Sequence, residues 1–290
     1  MKKNHLIPCL TLLLSGSLMA QTVATVNGDK IDSSTVEAVV KNLRRQNQQL
    51  PDSPELRNEV TRRLAISAAV AQEAKKLKLD QSAQYKQAVE KARAAAKKEG
   101  ADKQPSFKQD WALYETDLLN QAYFANVVRQ NPVSDTETKQ AYDRLNSHYQ
   151  GSQEVQLGEI ITRNGSDAQK ALGELKSKKS FKEVAAKYSA DPRAKQSGGI
   201  GAGYIPLKDL QQANPPVYQA VGSLKKGAYT ASPLQDNNGN FAIFYVNDKR
   251  NIQVPPFDQI KNRIANDLQQ ERIARAVDGV VQKADIRPAR

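Results

Sequence analysis

The sequence predicts an α+β protein in which a helical region is followed by a mixed module of strands and helices and then by a closing helix. Three observations carry this expectation. From Ser33 to His148, apolar residues recur at helical spacing between polar or proline-containing breaks; from residue 154 to 246, short apolar strands bracket several capped helices; and a last helical stretch runs from Phe257 to Lys283. A chain of 290 residues has room for about two domains.

Residues 1–20 carry Lys2 and Lys3, an apolar run from Leu6 to Leu14, and small residues ending at Ala20, the pattern of a secretory signal. The run is too short to span a bilayer, and too few residues precede Cys9 for "LIPC" to work as a lipobox. Cleavage after Ala20 removes the only cysteine, and with it disulfides, thiol catalysis and thiolate metal ligands. It leaves His148 as the only histidine, so neither a metal site nor a serine hydrolase is expected, and no cofactor. Loss of the two lysines lowers the formal charge from +12 to +10. Such an excess favours anionic partners, lipid headgroups at a membrane surface or acidic polypeptides. Nucleic acid is not expected, because the chain is exported and its lysines are spread over helices instead of gathering with aromatics. The expected location is outside the cytoplasm, in the periplasm of a Gram-negative cell, with association with the envelope.

Taken in order, "VATVNGDKI" alternates around Asn27-Gly28, which predicts a tight hairpin. A helix follows from Ser33 to about Leu50, with Val36, Val39, Val40 and Leu43 on one side. "PDSPEL" breaks it, and Ser53 caps a second helix that begins at Pro54 and runs to about Leu77. A third, alanine-rich helix spans Gln81 to Lys98, and after a polar break Phe107 to Val128 form a fourth. The fourth carries Trp111, Tyr114 and Phe124, which at helical spacing are either core or the lining of a groove for extended apolar polypeptide. Another helix starts at Ser134 and leads to His148, a histidine in a polar, surface-type segment.

"EVQLGEII" reads as a strand over residues 154–161. Ser166 and Gln169 have capping spacing for a helix through Lys178, and Ser180 with Glu183 forms a second capping pair. Pro192 then stops the helix, and glycines at 198, 199, 201 and 203 give a loop with unusual backbone freedom. "GGIGAG" lacks the strand before and the helix after that a dinucleotide site needs. Near Asp209 to Val221 a helical turn is interrupted by Pro215-Pro216, and Ala228 to Gln235 and Asn240 to Val246 form two strands joined by "DNNG". That tetrapeptide is a hairpin turn and lacks most ligands of a calcium loop.

The order "EVQLGEII … SFKEVAAKYSADP … SGGIG … LKKGAYTASPLQ … NFAIFYVNDKR" resembles a parvulin-type peptidyl-prolyl isomerase domain over Glu154 to Arg250. With the leader, the Val-Asn-Gly hairpin and the closing helix, nearly the whole mature chain is similar to the SurA and PrsA class of extracytoplasmic folding factors. The resemblance implies four parts: a signal at 1–20, a helical chaperone domain at 21–150, an inserted parvulin β-α-β-β domain at 151–252, and a closing helix at 253–290 that packs back on the helical domain. It implies unfolded or proline-containing exported polypeptides as partners. No pattern specifies an oligomeric state.

Isomerisation needs no nucleophile or metal. Its barrier of about 18–20 kcal/mol is amide resonance, so the enzyme must bind the twisted amide better than the planar forms. The family pairs an apolar proline pocket with two histidines and a nearby cysteine or aspartate. Here Glu159 stands at the first histidine position and Ala242 at the second, while Asp191 matches the acidic position. If Glu159 and Asp191 share the cleft, repulsion raises one pKa and leaves a neutral carboxyl able to donate a hydrogen bond; otherwise both are solvated surface groups. The resemblance places Tyr218, Leu210, Ala242 and Phe244 at the substrate pocket. Three readings remain open: an isomerase with chaperone activity, a pure holdase on a parvulin scaffold, and a surface adhesin. A chaperone requires an apolar concavity with a cationic rim, for which Trp111, Tyr114 and Phe124 are the aromatic candidates.

Overall fold

The computed structural model describes residues 21–289, so the signal expected at 1–20 and Cys9 lie outside the described residues. Strands β1 (Thr22–Val26) and β2 (Asp29–Asp32) form the opening hairpin. Asn27 and Gly28 turn it with φ of 50° and 92°, the left-handed pair that a two-residue hairpin demands. Helix α1 spans Ser33–Gln46, four residues short of the expected end, and α2 spans Pro54–Lys76. The Ser53 hydroxyl accepts a 3.2 Å bond from the Leu56 amide, with Pro54 at the first turn as its sequence predicts. Helix α3 (Ala83–Lys98) starts two residues later than expected because Ser82 takes the cap, and α4 covers Phe107–Gln130.

Helix α5 (Asp135–Tyr149) opens on a full capping box of Ser134 and Glu137 and leads into β3 (Gln153–Thr162). Helix α6 (Gly165–Lys176) corrects one expectation: Asn164, not Ser166, is its cap and accepts from the Asp167 amide at 2.9 Å. Asn164 already has extended backbone angles, whereas Ser166 lies inside the first turn. The Ser180–Glu183 capping box opens α7 (Phe181–Tyr188) as expected, and the short α8 (Ala194–Ser197) follows. Next come β4 (Ile205–Pro206), α9 (Leu207–Ala213) and α10 (Pro215–Val221). The prolines that interrupt the turn in sequence thus start a second helix, capped by Asn214.

The strand expected at Ala228–Gln235 is reduced to β5 (Leu234–Gln235), while β6 extends over Phe241–Asn251. Thr230 still donates its amide to the Phe244 carbonyl at 2.9 Å, but Pro233 has no amide to continue a ladder. The chain closes with α11 (Phe257–Lys283) and β7 (Ile286–Pro288). Strand β7 makes the opening hairpin a three-stranded sheet of order β2-β1-β7. Among the described residues no helix is long and apolar enough to cross a membrane.

Two compact units result. The first holds the described residues up to Val133 and those from Asn266 onward; the second is Ser134–Ala265, which takes in α5 and the start of α11. In the first, Ala24, Val26 and Ile31 of the small sheet bury against Val36 and Val40 of α1 and Val60 of α2, with Val280 of α11 beside them. A second cluster joins Val70, Ala74, Leu119 and Tyr123 to Ile273 and Val277 of α11. The closing helix thereby completes a core begun by the segment from β1 to α4. In the second unit the antiparallel order β4-β3-β6-β5 forms one sheet with helices on both faces.

Candidate functional site

Strand periodicity sorts the second unit. Ile160 and Ile243 are fully buried under α6 and α7, together with Leu172, Val184 and Phe181. On the opposite face Val155, Val246, Leu210, Val217 and Val221 form a second cluster with α9 and α10. Glu159 pairs directly with Phe244, and Ile161 with Ala242, so by alternation all four belong to this second face. Tyr218 and Phe244 pack partly exposed against its cluster. Leu210 is only 7% exposed and sits inside that cluster.

The carboxylates differ sharply. Glu159 is half-buried among apolar neighbours and makes no side-chain hydrogen bond or ion pair among the described residues. Burial, and to a smaller extent the Asp191 anion, hold its carboxyl above the ordinary glutamate value. Asp191 lies on the loop after α7, tied to β3 where Ala190 donates to the Ile161 carbonyl at 2.6 Å and Ser189 accepts from the Ile161 amide at 3.2 Å. Arg193 grips it with guanidinium bonds of 3.1 Å to each oxygen and an amide bond of 3.0 Å. The guanidinium first, then the amide, hold Asp191 below the ordinary aspartate value. The two sites therefore titrate apart, Glu159 toward neutral and Asp191 toward anionic. Arg193 is the partner that sequence reasoning missed, although its place two residues after the aspartate was a signal.

The glycine loop proves to be a packing device. Glu159 donates its amide to the Gly199 carbonyl at 2.8 Å, and Gly201 donates to the Leu157 carbonyl at 2.9 Å, so the loop runs along the edge of β3. A Cβ at Gly199, whose φ is +74°, would stand 2.7 Å from the Glu159 carbonyl oxygen. Gly158 went unremarked in the sequence, although a glycine inside a strand marks a close approach. The Phe181 ring lies over it, stacked on Tyr245 at 4.5 Å, and a Cβ there would meet that ring at 2.7 Å.

His148 ends α5, where its Nε2 lies 3.6 Å from Asp209 and Tyr149 donates to the same carboxylate at 2.7 Å. It stands with α9 at the surface, with 43% of its side chain exposed. Among the described residues no group of three His, Cys, Asp or Glu could hold a metal ion.

The helical unit holds a second candidate surface. Tyr114, 45% exposed, lies between two recesses of about 570 and 600 Å³. The first is walled by Val39, Leu43, Leu64 and Leu113, and the second by Ala92, Ala95, Ala96, Phe107 and Trp111. The Trp111 ring lies tilted against Tyr114 at 5.6 Å and against Phe107 at 5.8 Å, with the Arg93 guanidinium 4.8 Å above it. Phe124 lines neither recess; it packs beside Tyr123 against the second core cluster, almost three turns beyond Tyr114 along α4.

Residues 133–262 match the family model of the PPIC-type PPIase domain. A "Probable parvulin-type peptidyl-prolyl cis-trans isomerase" of Bordetella bronchiseptica is 28% identical over 256 residues, which cover 88% of each chain. Among solved structures, one from work on two SurA-like chaperones of Campylobacter jejuni shares 22% identity, with a TM-score of 0.34 over 91% of this chain and 96% of that one. The peptidylprolyl isomerase PrsA of Bacillus anthracis shares 19%, with a TM-score of 0.40 over 76% of this chain and 94% of its own. The family match coincides with the compact unit Ser134–Ala265, and the β3–β6 ladder within it positions Glu159, Ala242 and Phe244 on one face. By the family match, residues 133–262 form a parvulin-type peptidyl-prolyl isomerase domain.

Proposed function

We propose that this chain is an exported folding factor, a parvulin-type isomerase with chaperone activity toward unfolded exported proteins, working in the periplasm or at the envelope. The observation that carries the catalytic half is the pairing of Glu159 with Phe244 on an apolar sheet face, away from any hydrogen-bonding partner among the described residues. Twisting the prolyl amide removes resonance and returns a lone pair to nitrogen. A neutral Glu159 carboxyl can donate a hydrogen bond to that nitrogen and not to the planar ground state, which is the differential binding catalysis requires. One such bond is worth about 1 kcal/mol net, or roughly fivefold in rate. Phe244, Tyr218 and the small Ala242 give the proline ring an apolar seat, with Leu210 beneath them. Asp191, clamped by Arg193, orders the loop and keeps the proton on Glu159 by its charge. The signal-like residues 1–20 support export, and the recesses flanking Tyr114 support capture of unfolded chain.

A holdase without isomerase activity is the second reading, favoured by one observation. The family's histidine pair is missing, and His148, the one histidine outside residues 1–20, stands beside Asp209. Two assays separate the readings: turnover of a proline tetrapeptide and suppression of aggregation of an unfolded outer-membrane protein. Activity in both supports the first, whereas activity in the second alone leaves a scaffold.

A further inference from the structure

Helix α3 is unusual in this molecule because none of its residues is buried. In folded proteins most helical stability comes from an apolar face that something covers. Here the face of Ala92, Ala95 and Ala96 opens on the recess of Phe107, Trp111 and Tyr114, leaving an apolar wall without a partner. The recess is concave, which suits inserted side chains better than the flat surface of a bilayer.

Its surroundings are strongly cationic. Between Ala83 and Lys108 seven basic residues stand against three acidic ones. Arg93 is engaged by Glu115 at 3.2 Å, but Lys86, Lys91, Lys97, Lys98, Lys103 and Lys108 are exposed and form no ion pair among the described residues. The lining itself carries Arg45, Glu99 and Asp110 and is close to neutral, so the excess charge belongs to the rim. On the helical wheel Lys91 and Lys98 flank the alanine face on one side, with Arg93 on the other.

We infer that this recess selects unfolded segments whose apolar side chains are flanked by acidic residues: the apolar groups enter between α3 and α4, and the flanking carboxylates meet the lysine rim. The inference rests on the reading of the helical unit as a client-binding surface and adds the charge class of the client. Exposed charges steer and select through Coulomb attraction that salt screens, so the preference belongs to low and physiological ionic strength.

Trp111 is the only tryptophan in the chain and lines the recess, so its emission reports occupancy directly. The full-length protein is titrated with two tryptophan-free peptides that share one Leu/Phe core and carry either glutamate or lysine flanks, and with phosphatidylglycerol vesicles. The glutamate-flanked peptide should bind about tenfold tighter at low salt, with the gap closing near 0.5 M salt. The triple variant Lys91→Gln, Lys98→Gln, Lys103→Gln should lose the gap, and the corresponding glutamate triple should invert it. Both leave the helical circular dichroism unchanged, because these side chains contact no partner. Equal affinity for the two peptides overturns the charge selection and leaves the groove standing. Binding of neither peptide overturns the groove as well. A response to the vesicles alone assigns the surface to lipid and overturns the proposal.

Discussion

The sheet unit and the helical unit bury their apolar surface with opposite economies of packing. In the sheet unit both faces of β3 and β6 are covered, Ile160 and Ile243 are fully buried, and Gly158 is kept bare to seat the Phe181 ring. In the helical unit α3 buries no residue and lends an alanine face to an open recess. Tight packing fixes one carboxyl against one aromatic ring, as positioning a single bond requires. Loose packing leaves apolar surface free, as the client surface proposed above requires.

Substitutions in the two units test that contrast. The largest effect is expected for Ile160→Ala, which opens a cavity in a fully buried site and should cost about 3 kcal/mol in urea unfolding. Gly158→Val forces a side chain into the Phe181 ring and should cost about 2 kcal/mol, with loss of the near-ultraviolet signature of the Phe181–Tyr245 stack. Ser180→Ala removes the capping box of α7 and should cost about 1 kcal/mol, read as a lower thermal midpoint. On the open unit, Lys91→Gln should change stability by less than about 0.5 kcal/mol. A loss there as large as that at Ile160 would mean that α3 is not the loosely held element described.

How much of this was legible in the sequence follows from how local each signal is. The caps at Ser53, Ser134 and Ser180 act within one helical turn and could be read directly. The cap of α6 could not be read uniquely, since Asn164 and Ser166 are two residues apart and only backbone angles choose between them. Strand β7 was invisible because three residues acquire strand geometry only by pairing with Ala24–Val26, more than 250 positions earlier. The candidate residues were legible by alternation, which put Ala242 and Phe244 on one face, and the ladder adds Glu159 beside them. Two things depended on tertiary packing and were missed: the burial of Leu210 and the hold of Arg193 on Asp191.

The carboxyl asymmetry has a thermodynamic sign. Glu159 has a folded-state pKa above its ordinary value, so ionising it costs more in the folded chain than in the unfolded one. Its contribution to stability is complete below the ordinary glutamate pKa and is lost as pH rises through the folded value. The opposite holds for Asp191, whose lowered pKa makes its contribution present above the ordinary aspartate value and lost as pH falls through the folded one. Removing the cation with Arg193→Ala should let Asp191 return toward its ordinary pKa, as NMR titration of the side-chain carboxyl would register.

The most direct test of the catalytic proposal is the pH–rate profile of proline-tetrapeptide isomerisation by the full-length protein and its Glu159→Gln variant. With a neutral Glu159 as donor, the wild-type rate is highest on the acidic side and falls as pH rises through the raised pKa of that group. The glutamine amide, which donates at every pH, should keep the rate and flatten the profile. Wild-type turnover that is absent at all pH values, or a pH profile that survives the substitution unchanged, would contradict a role for Glu159 in the chemistry.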